Sequence, residues 1–219
     1  MVVLHYTGMD SVEAACGWLC SSASGVSCHY LVDELGVTTQ LVGEEMRAWH
    51  AGVSSWGGNS DTNSRSVGIE IHNRGHNIGY SDFPEAQMKA VLELCRDIAT
   101  RHDIPARQVL AHSDVAPGRK IDPGEKFGWA MLHRGGVGHW VAPIPIADGL
   151  AFKFGDRGQV VKELQELLKN YGYGLLVTGE YDRDTEVVVT AFQRHFRPAR
   201  IDGVADFSTI ETLRQLSES

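Results

Sequence analysis

The chain has 219 residues, with 20 Lys and Arg against 28 Asp and Glu and a formal net charge of −8, which argues against a nucleic-acid backbone as partner, because such binding needs a basic face. At 42% hydrophobic and 22% charged residues it is a folded sequence rather than a disordered one, long enough for one medium domain and a small one. No apolar run approaches the roughly 20 residues that cross a bilayer.

The N-terminal MVVLHYT reads as a strand from its first residue. Val2 to Leu4 form a continuous apolar run ending at His5, as suits a strand buried on both faces. The segment has neither the basic n-region nor the small-residue cleavage site of a leader, and a chain that opens inside a strand carries the expectation that residues precede Met1. Asp10 or Ser11 caps a first helix with Ala14, Ala15, Trp18 and Leu19 on one face. SCHYLVDELG and VTTQLVG are β-rich runs meeting at Glu34-Leu35-Gly36, which predicts a hairpin. In SVGIEIH the period of two sets Val67, Ile69 and Ile71 on one face and Gly68, Glu70 and His72 on the other. A long amphipathic helix from about Pro84 to His102 presents Ala90, Val91, Leu94, Cys95 and Ile98. QVLAH is then a short strand that delivers His112. This order predicts an α/β (α+β) fold, a mixed central sheet flanked by helices.

Residues 136–152 are rich in glycine and proline without a period, which predicts a linker between a first domain of residues 1–135 and a small three-helix all-α domain of residues 153–219. Helical patterns in the tail cover Arg157 to Asn170, about Asp184 to His195 and about Ser208 to Leu216. VTGEYDRDT and IDGVADFST share an apolar residue, a polar one, Gly and then Thr at matching offsets, each opening a helix. Their aspartates and threonines read as turn and capping residues. Cys16, Cys20, Cys28 and Cys95 form no CxxC pair and read as buried free thiols, which leans toward a reducing compartment.

The stretch AHSDVAPGRKIDPG, Ala111 to Gly124, gathers a histidine, a lysine and two aspartates in one loop. A zinc hydrolase needs three N, O or S ligands and an open fourth position, and His5, His112 and Asp122 fit if the first strand and QVLAH are neighbours. Among ten histidines, core and surface roles stay open on spacing alone. Glu70, inside a strand whose other face is apolar, suits a general base, and Lys120, two residues before Asp122, suits an oxyanion. A salt bridge for Glu70 and an exposed loop charge for Lys120 are the alternatives.

LHYTG at His5, SVGIEIHN around Glu70, WHAGVSSW at His50 and HSDVAPGRKIDPG together resemble the type 2 N-acetylmuramoyl-L-alanine amidases, zinc enzymes related to peptidoglycan recognition proteins and phage amidase lysozymes. The tail, with GDRGQVVKELQELL and IDGVADFSTIETL, is similar to the small three-helix peptidoglycan-binding domain attached to cell-wall hydrolases. The resemblance implies one Zn²⁺ on His5, His112 and Asp122, with Glu70 and Lys120 as the catalytic pair. The reaction it implies is hydrolysis of the amide between N-acetylmuramic acid, or its anhydro form, and the L-alanine of the stem peptide. Pro117, Gly118, Pro123 and Gly124 would fix the turns that aim the loop. Peptidoglycan or muropeptide fragments are the implied partners.

One departure matters: Cys28 precedes His29 where phage amidase lysozymes carry a tyrosine, so a tyrosine-assisted mechanism is not available there. His29 and His50 either line the pocket or hydrogen-bond structurally, and Trp49 and Trp56 offer surfaces for a sugar. Asn63 and Arg65 are candidates to meet a peptide carboxylate, with a surface turn as the alternative. His72, His76, His102, His133, His139 and His195 read as non-catalytic. A non-catalytic peptidoglycan or muropeptide sensor of the same fold is the rival function; loss of a ligand would favour it, and all three ligands and both catalytic groups are present. For the compartment, the unpaired cysteines and missing leader favour the cytoplasm, and the binding domain favours the cell envelope if residues precede Met1.

Overall fold

The computed structural model describes residues 1–219. The chain runs through β1 (Val2–Tyr6), α1 (Val12–Leu19), β2 (Tyr30–Val32), β3 (Thr38–Gln40), β4 (Val67–Ile71), α2 (Gly75–Ile78), α3 (Glu85–Arg101), β5 (Val109–Ala111), α4 (His112–Val115) and α5 (Trp129–Arg134). It continues through β6 (Ala151–Phe152), α6 (Gln159–Tyr171), α7 (Arg183–Phe196), β7 (Ala205–Asp206) and α8 (Phe207–Glu218). No helix is long and apolar enough to cross a membrane.

The first ten elements build a mixed sheet in the order β3-β2-β4-β1-β5. β1 runs parallel to both β4 and β5, β2 runs parallel to β4, and only the edge strand β3 is antiparallel, as the second arm of the expected hairpin. Parallel strands are covered on both faces, and here alternation divides the cover. Val2, Leu4, Val67, Ile69, Ile71 and Val109 pack on Met88, Val91, Cys95 and Ile98 of α3. Val3, Leu110 and Val115 face the other way, into a cluster with Leu164, Leu168, Phe192, Phe196 and Leu213. The second face of the sheet is therefore covered by the C-terminal helices, which the sequence placed beyond a linker. Each such aliphatic side chain contributes on the order of 1.5–3 kcal/mol by leaving water.

Three local expectations change. The apolar face of α1 is not core: Ser11 does cap the helix, accepting from the Ala14 amide at 3.2 Å, but only Ala15 is buried, and Trp18 is 50% exposed. Ala151 and Phe152, the last residues of the expected linker, pair with Asp206 and Ala205 across β6 and β7. Cys28 and Cys95 are buried free thiols, whereas Cys16 is half-buried and Cys20 exposed at the C-cap of α1.

The tail repeat does cap helices. Asp182 Oδ1 accepts from the amide and hydroxyl of Thr185 at 2.8 and 2.7 Å, and Asp206 Oδ1 accepts from those of Thr209 at 2.8 Å each. Two fully buried glutamines complete the repeat: Gln165 accepts the Thr178 and Gly179 amides at 2.9 and 2.8 Å, and Gln193 accepts those of Asp202 and Gly203 at 3.0 and 2.9 Å.

One ion pair ties the loop after β3 to the end of α3. The Arg101 guanidinium takes both oxygens of Glu44 at 2.6 and 2.8 Å, and Tyr30 and His102 also bond it. These bonds, led by Arg101, hold the Glu44 carboxyl at about 2 against burial that works the other way. A carboxyl depressed in the folded state adds stability above its unfolded pKa and loses it as pH falls toward the folded value. Glu44→Gln will therefore lower unfolding free energy by about 1–2 kcal/mol at pH 7, discounted for the exposure of Arg101. Chemical denaturation should show that deficit vanishing as pH falls from about 5 toward 2.

Candidate metal and catalytic site

Ligand sites in open parallel sheets lie beyond the carboxyl ends of the strands, and the candidate residues collect there. His5 lies one residue before the end of β1, Glu70 stands directly across from it on β4, and His112 follows β5 as the first residue of α4. In-register neighbours on parallel strands point to the same side, so His5 and Glu70 face one cleft. The loop from Val115 to Asp122 then folds back. The Ser113 amide donates to the Asp122 carbonyl at 3.0 Å, and Gly118 and Gly124 take φ of +73° and +88° at its turns, where a side chain would be strained.

His5 Nδ1, His112 Nδ1 and Asp122 Oδ2 converge. They lie 2.8 Å (His5 to His112), 2.9 Å (His112 to Asp122) and 3.3 Å (His5 to Asp122) apart, and the three residues are 1%, 3% and 6% exposed. Ligand atoms of a tetrahedral zinc stand about 3.3 Å apart when its bonds are about 2.0–2.1 Å. The outer nitrogens settle the tautomers. His112 Nε2 donates to the Ala51 carbonyl at 3.1 Å, and His5 Nε2 donates to His50 Nδ1 at 3.0 Å. His50 Nε2 in turn donates to Ser66 Oγ at 3.3 Å, and Ser66 donates to the Thr62 carbonyl at 2.6 Å. Both inner nitrogens are thereby left as bare lone pairs facing a carboxylate oxygen. Three acceptors so close in a buried site fit a cation between them.

The electrostatics agree. Burial foremost, then His112, brings His5 down to about 4 and keeps it neutral. Burial would raise Asp122, but His112 and His5 outweigh it and hold the carboxyl ionised far below its ordinary range. Glu70 goes the other way: burial, reinforced by Asp122 and opposed by Lys120, lifts its carboxyl well above the carboxylate range. Its Oε2 is buried and has no hydrogen-bond partner. A carboxyl with a free lone pair and a raised pKa is equipped to take a proton near neutrality.

The cleft holds about 490 Å³ and is lined by Glu70, His112, Lys120 and Asp122, with Trp18, Val26 and Trp49 forming an apolar wall. Trp18, read from the sequence only as part of an apolar helix face, lines that wall, a position that helical periodicity alone cannot tell from a buried one. Trp49 is 54% exposed beside the cleft, with the Arg47 guanidinium 4.2 Å from its ring. Arg119, also unforeseen, ties the loop that caps His112 by donating to the Ala51 and Val53 carbonyls.

Four expected substrate contacts are corrected. His29 is 1% exposed, accepting from the Gly68 amide at 2.9 Å and donating to the Met46 carbonyl at 3.1 Å, so both its nitrogens are engaged. Asn63 is 7% exposed, and its Oδ1 accepts the His50 and Ala51 amides at 3.0 and 2.8 Å. Arg65 lies outside the cleft, in a larger groove of about 1250 Å³ beside the C-terminal helices. Trp56 is 5% exposed and packs on Tyr171 and Tyr173. His50 borders the cleft, but its ring nitrogens serve His5 and Ser66. Gly68 makes room for that ring: a Cβ there would stand 2.4 Å from His50 Cγ.

Residues 1–125 match the family described as N-acetylmuramoyl-L-alanine amidase, and residues 157–213 match a peptidoglycan binding domain family. The N-acetylmuramoyl-L-alanine amidase AmiD of Escherichia coli (strain K12) is 36% identical over 95% of this chain and 79% of its own length. The 1,6-anhydro-N-acetylmuramyl-L-alanine amidase AmpD of the same organism is 40% identical over 49% of this chain and 56% of its own. Among solved structures, E. coli AmiD in complex with anhydro-N-acetylmuramic acid-L-Ala-D-γ-Glu-L-Lys superposes with a TM-score of 0.86 at 35% identity, covering 100% of this chain and 88% of that one. AMPDH3 from Pseudomonas aeruginosa in complex with an anhydromuramic pentapeptide gives 0.82 at 31% identity, covering 100% and 91%.

Proposed function

Because this chain belongs to the N-acetylmuramoyl-L-alanine amidase family, we propose that the metal of its cleft is a single zinc ion held by His5, His112 and Asp122, with Glu70 as base and Lys120 as oxyanion partner. The enzyme hydrolyses the amide that joins N-acetylmuramic acid, or its anhydro form, to the L-alanine of the stem peptide. The observation that carries the assignment of roles is the convergence of three unprotonated donors beside the unpartnered Oε2 of Glu70.

Zinc, when bound, supplies Lewis acidity to the attacking water and to the amide carbonyl. Glu70 takes the proton of the water as it attacks and returns it to the leaving amine of L-alanine, so one carboxyl serves both halves of the reaction. The Lys120 ammonium faces the carbonyl oxygen as charge develops on it. His50 and the Ala51 carbonyl keep the two imidazoles turned toward the metal, and Trp49 and Trp18 offer the sugar and the stem peptide an apolar wall.

Anhydromuropeptides are the first substrate class, supported by the ligands of the AmiD and AMPDH3 complexes. Polymeric wall is the second, supported by the peptidoglycan binding match of the tail. Mass spectrometry of the zinc-loaded protein incubated with soluble anhydromuropeptides and, separately, with isolated sacculi should find free stem peptides bearing a new L-alanine amino terminus in both. Release from fragments alone would remove the polymer from the reading. No release from either, with zinc bound, would sink the assignment of the cleft and favour a sensor.

A further inference from the structure

We infer that the C-terminal helical unit positions the metal ligand His112, through a buried carboxylate gripped by two of its side chains. Asp114 stands two residues after His112 on α4 and is 0% exposed. Its Oδ2 accepts the Ala111 amide at 2.8 Å, the bond that closes the start of the turn carrying His112. The same oxygen accepts from Nδ1 of His195 at 2.6 Å, and Oδ1 accepts from the Tyr173 hydroxyl at 2.9 Å.

His195 belongs to α7 and Tyr173 follows α6, so both donors come from the C-terminal helical unit packed on α4. Neither has room to move. His195, 2% exposed, lies between the rings of Trp129 at 3.7 Å and Phe196 at 3.8 Å, and Tyr173, 1% exposed, packs edge-on against Trp56 at 5.0 Å. Val115, at the end of the same turn, is buried in the C-terminal cluster. A buried carboxylate stripped of two of its three donors would draw water or swing to find others, and the turn would move with it. Because Ser113 also donates to the Asp122 carbonyl at 3.0 Å, such a shift reaches two ligands together, and a metal site tolerates only small displacements of its donors.

The inference rests on the metal reading of the cleft, and it gives the helical unit a task separate from holding the wall. The double variant Tyr173→Phe/His195→Phe removes both donors while keeping an aromatic ring at each position. Competition with a chromophoric chelator should show its zinc dissociation constant raised about tenfold, the size of effect expected when groups supporting metal ligands are lost. His195→Asn, whose amide nitrogen can stand where Nδ1 stood, should bind zinc more tightly than His195→Phe, and cosedimentation with sacculi should stay at the wild-type level throughout. A folded double variant with the wild-type zinc constant overturns the inference, whatever its melting temperature. If the double variant does not fold, Tyr173→Phe alone decides, and an unchanged zinc constant there overturns it equally. A wild-type chain that takes up no zinc overturns the metal reading beneath it, and this inference with it.

Discussion

Glu70→Gln will lower the rate of stem-peptide release from an anhydromuropeptide by about 10² to 10⁴, the usual share of a positioned general base, while zinc uptake stays stoichiometric. The substitution keeps the shape of the side chain and removes only its ability to take a proton. It also removes a charge whose burial is costly: Oε2 has no partner, and the carboxyl is already pushed well above its ordinary range. The variant should therefore melt no lower than the wild type. Single-turnover rates beside metal analysis make the check. Loss of zinc along with activity would make Glu70 a ligand, and a wild-type rate would leave the cleft without a base.

His112→Ala will abolish both zinc uptake and turnover. His112 stands 2.8 Å from His5 and 2.9 Å from Asp122, and its loss leaves one imidazole and one carboxylate, too few for a three-ligand zinc site. The linkage is measurable without substrate. Zinc at about 1,000 times its dissociation constant stabilises a folded protein by about 4 kcal/mol, so the wild type should melt higher with zinc than without. The variant should show no such shift, and His133→Ala, at an exposed position of α5, should behave as the wild type. A zinc-dependent rise in the variant's melting temperature equal to that of the wild type would remove His112 from the ligand set.

Much of the site is legible because its chemistry follows short-range rules. The run Val2 to Leu4 announces a strand covered on both faces, and the alternation in SVGIEIH places Glu70 opposite Val67, Ile69 and Ile71. The tail aspartates announce themselves as caps by their spacing to threonine. The failures have equally specific causes. Asn63 and Arg65 look alike in sequence, two polar residues before a strand, yet one is spent on the His50 and Ala51 amides and the other faces a different groove. Trp18 lies on an apolar helix face and Trp56 in a serine- and glycine-rich loop, yet Trp56 is the buried one, because what packs above each decides which meets solvent. His29, His50 and His195 carry no mark in the sequence that tells a ligand from a support.

By itself, then, the sequence determined the main strands and helices and the tail caps, because periodicity and capping act over a few residues, and its resemblance to the amidases singled out the candidate ligands and base. Only the tertiary structure decided which nitrogen of His5 and of His112 faces Asp122, since that depends on His50 and the Ala51 carbonyl, far along the chain. It also decided that the C-terminal helices cover Val3 and Leu110 and hold Asp114. A strand's pattern records that a face must be buried, and the partner that buries it is chosen by packing across the whole chain.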